Sequence, residues 1–165
     1  MAAGTWKVFT KAKRLMGTGG VAMASGGVTL GAGVFKMTLH KKSASANLLK
    51  GTNAGLSTYA SIGSPCGNFG NYTAGGLAIG PATGRWTVDG TSSQKMKFSY
   101  TTLGLTFKAC ASTLGSIKYA LIRTSTGAGA GKVVCYCTLS TTGFNLTAGN
   151  TLIITPHASG VFSLK

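Results

Sequence analysis

Carboxylates are all but missing from this sequence: Asp89 is the single acidic side chain, set against 16 lysines and arginines, for a formal net charge of +15. General acid–base catalysis with paired carboxylates needs two positioned acids, so carboxylate dyads are excluded, and carboxylate cages of the EF-hand kind with them. The lone acid falls in Asp89-Gly90, where a two-residue hairpin turn accounts for it. A Ser-His-Asp triad would have to recruit Asp89 with His40 or His157, and no serine stands in a nucleophile-elbow pattern. Charged residues amount to 10% and aromatics to 8%, which argues against long solvated helices rich in Lys and Glu. No run approaches the ~20 apolar residues that cross a bilayer, so no membrane partner is expected. The start does not read as a signal peptide, because Lys7, Lys11, Lys13 and Arg14 interrupt any apolar stretch. Synthesis in the cytoplasm of a host cell is the expectation.

What is present is glycine and small polar residues. Glycine is 26 of 165 residues, about twice the ~7% average, and it follows no three-residue period, which excludes collagen. With 44% hydrophobic residues, a chain of this length can bury a core without disulfides or metals. The length suits one domain over 1–165, with segment 1–20 as an extended or helical arm.

Residues 6–16 suit a short helix, since Phe9, Ala12, Leu15 and Met16 recur at helical spacing with cations between them. Gly17 ends it. From Val34 the period becomes two: Phe35, Met37 and Leu39 share one face, alternating with Lys36, Thr38 and His40. Residues 43–83 show no period beyond one helical turn near Ser57–Ile62 and read as a long loop. Strands are then expected at 85–88, 94–100, 103–107, 116–123, 132–139, 151–155 and 161–164, with Asp89-Gly90 as a hairpin turn. The fold class expected is mainly β, an antiparallel sandwich or barrel of about eight strands with a short N-terminal helix. Asn71-Tyr-Thr-Ala-Gly-Gly and Asn145-Leu-Thr-Ala-Gly-Asn echo one another as similar turns before a strand. Both also contain sequons, which matter only on a secretory route.

Gly127-Ala-Gly-Ala-Gly-Lys132 imitates a phosphate loop, but a strand follows it where a helix is required. Cys135 and Cys137 share one face of a strand, where adjacent positions suit a disulfide poorly. With Cys66 and Cys110 they leave three states open: reduced small hydrophobes, a disulfide, or a thiolate zinc site, the last without any tight Cys-x-x-Cys pair. His40 and His157 read as ordinary surface residues. No metal or cofactor is expected.

The charge points to an acidic partner or, more plainly, to solubility of an otherwise uncharged surface. The cations are scattered, with short groups only at Lys11, Lys13, Arg14 and at Lys41, Lys42. A dedicated nucleic-acid binder interleaves cations with exposed aromatics or a reading helix, which places nucleic acid second to an acidic protein.

Several landmarks occur in a telling order: Val8-Phe-Thr-Lys-Ala-Lys13, Phe35-Lys-Met-Thr-Leu39, Thr58-Tyr-Ala60, Tyr72 to Gly76, Tyr119 to Ile122, Thr147-Ala-Gly149 and Leu152-Ile-Ile154. In that order they resemble a family of small bacteriophage structural proteins with capsid-decoration, neck and tail-associated roles. The family is often acidic around its later strands, and this chain departs from it there. The resemblance implies a non-enzymatic virion component with a β-sandwich body. The expected role is a capsid decoration (cement) protein on the outer surface of the head, held by the major capsid protein. The expected oligomer is a trimer, suited to three-fold lattice positions. A tail or neck protein and a basic nucleic-acid-binding virion protein are the alternatives. Candidate contact residues are Trp6, Lys7, Lys11 and Arg14 at the N-terminus and Asn68, Phe69 and Tyr72 in the loop, with core packing as the plain alternative for Trp6 and Phe69.

Overall fold

Two apolar runs, Phe35-Lys-Met-Thr-Leu39 and Tyr119-Ala-Leu-Ile122, form the centre of the largest sheet. The protein is described by a computed structural model over residues 4–17, 34–45, 47–48, 58–81, 86–88, 96–100, 104–109, 113–124, 131–157 and 160–164. In chain order its elements are β1 (Lys7–Val8), α1 (Thr10–Gly17), β2 (Val34–Lys41), β3 (Leu77–Pro81), β4 (Trp86–Val88), β5 (Met96–Phe98), β6 (Leu105–Lys108), β7 (Leu114–Thr124), β8 (Val133–Thr138), β9 (Phe144–Leu146), β10 (Thr151–Ile154) and β11 (Phe162–Leu164). Short 3-10 turns occupy Lys42–Ala44 and Tyr59–Ser61.

The main sheet runs β1-β8-β7-β2-β3, with β9 pairing the start of β7; the smaller sheets are β10-β6 and β11-β5-β4. All pairings are antiparallel. Among the described residues the main path stays open at both ends, so the sheets pack face to face and do not close a barrel. The protein is mainly β, as the strand periods predict.

Both faces of the main sheet are covered. On one, Phe35, Met37, Leu39, Ala120, Ile122, Cys135 and Cys137 pack with Phe98, Tyr100, Phe107, Leu152 and Ile154 of the smaller sheets and their flanks. On the other, Tyr119, Leu121 and Tyr136 lie under Phe9 and Ala12 of the helical end, and under Ala44, Leu48, Tyr59 and Ile62. Double coverage explains why β7 and β8 read as nearly continuous apolar runs rather than clean alternations. Each large side chain buried this way contributes roughly 1.5–3 kcal/mol.

Three expectations change. The helix begins at Thr10 rather than residue 6, because Lys7 and Val8 pair with Tyr136 and Cys135 as an edge strand. β4 and β5 pair with Val88 opposite Met96; the turn expected at Asp89-Gly90 lies outside the described residues. The stretch 43–83 is not one loop. Besides the turn expected near Ser57–Ile62, found at Tyr59–Ser61, it contains the strand β3, and the part between them completes the edge of β2 beyond the reach of β3. There the Leu39 N–H donates to Tyr72 Oη at 2.9 Å, the Cys66 N–H donates to the Leu39 carbonyl at 2.8 Å, and the Lys41 N–H donates to the Ser64 carbonyl at 3.1 Å. Finally, His40 is fully buried and not a surface residue, since its side of β2 is covered as well; His157 is exposed.

The two echoed segments do the same work. Each makes a turn before a strand, closed by Gly76 N–H to the Thr73 carbonyl at 2.8 Å and by Asn150 N–H to the Thr147 carbonyl at 3.1 Å. Each asparagine then caps a neighbouring strand. Asn71 Oδ1 accepts from the Lys108 N–H at 2.7 Å while its Nδ2 donates to the Thr106 carbonyl at 2.9 Å. Asn145 Oδ1 accepts from the Ser116 N–H at 2.9 Å. Asn71 thus stands in for a missing strand along the outer edge of β6, the kind of device that keeps an edge from pairing elsewhere.

Candidate interaction surface

The sequence candidates divide by burial. Trp6, Phe69 and Tyr72 belong to the core, so they pack inward, as the plain alternative for Trp6 and Phe69 has it. Trp6 meets Tyr100 edge to face at 6.5 Å, and Tyr72 lies between Phe69 at 4.8 Å and Phe107 at 5.6 Å. Lys7 and Asn68 are exposed and Lys11 is half-buried. Asn68 Oδ1 accepts from the Ala74 N–H at 2.7 Å, which fixes the loop and leaves the carboxamide partly spent. Arg14 lies in α1, with its side chain outside the described residues.

The cations of the described residues are unevenly distributed. Lys11 and Lys13 stand on α1, Lys42 begins the first 3-10 turn, and Lys36 lies on the side of β2 opposite Phe35 and Met37. Lys118 is the extra residue of a bulge, where His40 pairs with Tyr119 and Lys41 with Ile117, and its Nζ lies 5.6 Å from the Tyr119 ring centre. Bulges re-aim side chains in this way. These five lysines belong to the helix-covered layer, Lys7, Lys41 and Lys132 lie elsewhere along the main sheet and its flanks, and the described parts of the smaller sheets carry Lys97 and Lys108. The one carboxylate side chain, Asp89, is not among the described residues, so no described acid moderates this layer.

Sequence reasoning missed a buried polar cluster beneath it. His40 Nδ1 lies 2.9 Å from the Gly63 carbonyl, and Nε2 lies 3.1 Å from the Thr38 hydroxyl. A carbonyl only accepts, which assigns the ring proton to Nδ1 and leaves Nε2 accepting from Thr38. Burial pulls the imidazole down to about 4, against the Gly63 hydrogen bond that favours protonation and with the Arg123 charge that opposes it. The His40 ring meets Tyr59 edge to face at 5.5 Å, and the Arg123 guanidinium lies 4.5 Å over the same Tyr59 ring. Arg123 is itself 1% exposed. Its Nη1 donates to the Thr124 carbonyl at 3.1 Å and its Nη2 to the Gly75 carbonyl at 2.5 Å. Among the described residues, carbonyl dipoles and an aromatic face meet this cation. The arrangement anchors the 58–76 segment to β2 and β7. Its signal in the sequence was polar residues, Thr38, His40 and Arg123, inside strands otherwise fit for burial.

The described thiols are likewise shut in. Cys66, Cys135 and Cys137 are free and buried; burial pushes Cys66 and Cys137 up to about 12 and raises Cys135 as well. Among the described residues no three His, Cys, Asp or Glu side chains gather as a metal site; Cys110 lies outside them. A cleft of about 300 Å³ is lined by Gly4, Thr5, Trp6, His157, Gly160 and Val161. The Trp6 indole N–H beside it is buried without an acceptor. No helix of the described residues is long and apolar enough to cross a membrane.

Comparison with known protein families, with curated proteins and with solved structures gives no match in any of the three.

Proposed function

We propose that the chain is a non-enzymatic structural protein of a bacteriophage particle, a capsid decoration protein that docks on the acidic outer face of the head shell. One observation supports it above the others. Lys11, Lys13, Lys36, Lys42 and Lys118, half of the described lysines, stand on the helix-covered layer, while the described thiols and the described rings of Trp, Phe and Tyr are turned inward. Charge of one sign spread over a rigid surface steers a protein to a complementary surface and fixes its orientation there. The sequence landmarks point to the same class of protein, and the major capsid protein is the partner this reading requires.

Quantitative densitometry of purified particles tests it. A decoration protein is present in fixed, near-stoichiometric ratio to the major shell protein. A tail or neck protein is present at the far lower copy number of the portal assembly. Absence from purified particles overturns the proposal. Binding to shells is expected to weaken as salt rises and to drop in the triple variant Lys11→Glu, Lys13→Glu, Lys42→Glu. Tight duplex DNA binding with a steep salt dependence, in place of shell binding, would instead mark a nucleic-acid-binding virion protein.

A further inference from the structure

We propose that the outer edge of β10 is a self-association site, at which two copies of this chain pair their β10 strands antiparallel about a two-fold axis through Ile153. This stands apart from the protein's location in a particle.

The edge strands of the molecule are unequally protected. The outer edge of β6 is capped by Asn71, and that of β8 by β1 and the Phe9 N–H, which donates to the Val134 carbonyl at 3.0 Å. Among the described residues β10 pairs only with β6. The pairing fixes which backbone groups are left over. The Lys108 N–H and Thr106 carbonyl point to Asn71, so in an antiparallel ladder Leu105 and Phe107 point to their partners Ile154 and Leu152. The backbone groups of Thr151 and Ile153 therefore face away from β6. The strand reads Thr-Leu-Ile-Ile-Thr over 151–155, with no charge and no proline, the composition that pairs most readily when exposed.

The side chains choose the partner. Ile153 is the one exposed large hydrophobic residue among those described, at 44%. It is also the middle of the stretch bounded by the Thr147–Asn150 turn and by Pro156, which has no N–H to offer a ladder. A two-fold axis through this residue sets Ile153 against its own copy in a doubly hydrogen-bonded pair. It also sets Leu152 against Ile154 and Thr151 against Thr155. The exposed apolar side chain is thereby covered by an identical one, and no lysine is brought opposite another. A contact of this kind is isologous and closes on itself, so it yields a dimer and not the three-fold assembly expected from the sequence. The +15 charge of each chain opposes the union, and screening assists it.

Light scattering of the purified chain across a range of concentration and salt reads the result. The expected mass is twice the 16.6 kDa of the chain, increasingly so as salt rises, with reversion to one chain in Ile153→Lys. Ile153→Cys is expected to link two chains under mild oxidation, because hydrogen-bonded pairs stand about 5.5 Å apart at Cα, within disulfide reach. Thr106→Cys, on the same face but off the axis, is the control and is expected to link poorly. A wild-type chain that stays monomeric overturns the proposal. So does a trimer, or a dimer that survives in folded Ile153→Lys. Should Ile153→Lys not fold, the cross-link decides: linkage at 153 above that at 106 supports the two-fold, and equal or no linkage refutes it.

Discussion

Replacing His40 by Gln is the sharpest test of the core as described. The imidazole titrates at about 4 in the folded chain against an ordinary value of 6.5. Between those values the unfolded chain holds a proton that the folded chain does not, so stability rises with pH from about 4 to 6.5 and is level above. At ~1.36 kcal/mol per pH unit of displacement, the whole arm amounts to about 3 kcal/mol, lost on acidification from neutral pH to pH 4. In most proteins such an arm is buried under the titration of many carboxylates. Here the sequence holds one acidic side chain and two histidines, so His40 dominates it. Denaturant titrations at half-unit steps from pH 7.5 to pH 4 read the slope directly. Wild type is expected to approach a full proton's slope between pH 6 and 4.5, and His40→Gln to be nearly level there, at a lower plateau because it surrenders bonds to Gly63 and Thr38. A level wild-type profile, or an unchanged slope in the variant, would refute the burial of His40 and with it the anchoring of residues 58–76.

Asn71→Ala removes both side-chain bonds to β6 and is expected to cost about 1–3 kcal/mol, seen as a lowered denaturation midpoint. Gly76→Ala is expected to cost more than the ~1 kcal/mol of a left-handed alanine alone, because φ is +95° and a Cβ would stand 2.7 Å from the Met37 carbonyl oxygen; thermal melting reads it. Cys66, Cys135 and Cys137 are expected to resist a thiol reagent in the folded chain and to react at once in denaturant, since burial both hides them and disfavours the thiolate. Potassium chloride up to about 0.3 M is expected to raise the melting temperature, because a charge of +15 repels itself and screening relieves that.

What could be read from the sequence was periodicity. Phe35, Met37 and Leu39 announced one face of β2, and the bodies of β7, β8 and β10 fell where alternation or apolar density placed them. The pattern shows which residues prefer burial, but not how many faces are covered. With one face assumed wet, His40 was read as a surface residue. Once Phe9, Ala12, Ala44, Leu48, Tyr59 and Ile62 cover that face, His40 and Thr38 must find partners inside, and they do. Helical spacing over 6–16 was equally ambiguous, because Lys7 and Val8 take up edge bonds on β8 that no local preference encodes. The strand β3 and the structured segment before it lacked any period, since glycines and side-chain caps such as Tyr72 Oη define them, and such long-range partners leave no local trace.

The treatment of charge ties these particulars together. A chain with one carboxylate has little chance to neutralise a buried cation by pairing, yet Arg123 is buried. Among the described residues its guanidinium is met by the Thr124 and Gly75 carbonyls and the Tyr59 ring, groups any sequence can supply. Sparing the surface of acids has a cost in self-repulsion, which persists unless a partner of opposite sign relieves it. That is why the cation-bearing layer over the second face of the main sheet, rather than any enclosed group, is where a binding partner should be sought. A charge-reversed layer that folded as well as wild type but no longer bound would locate the function there.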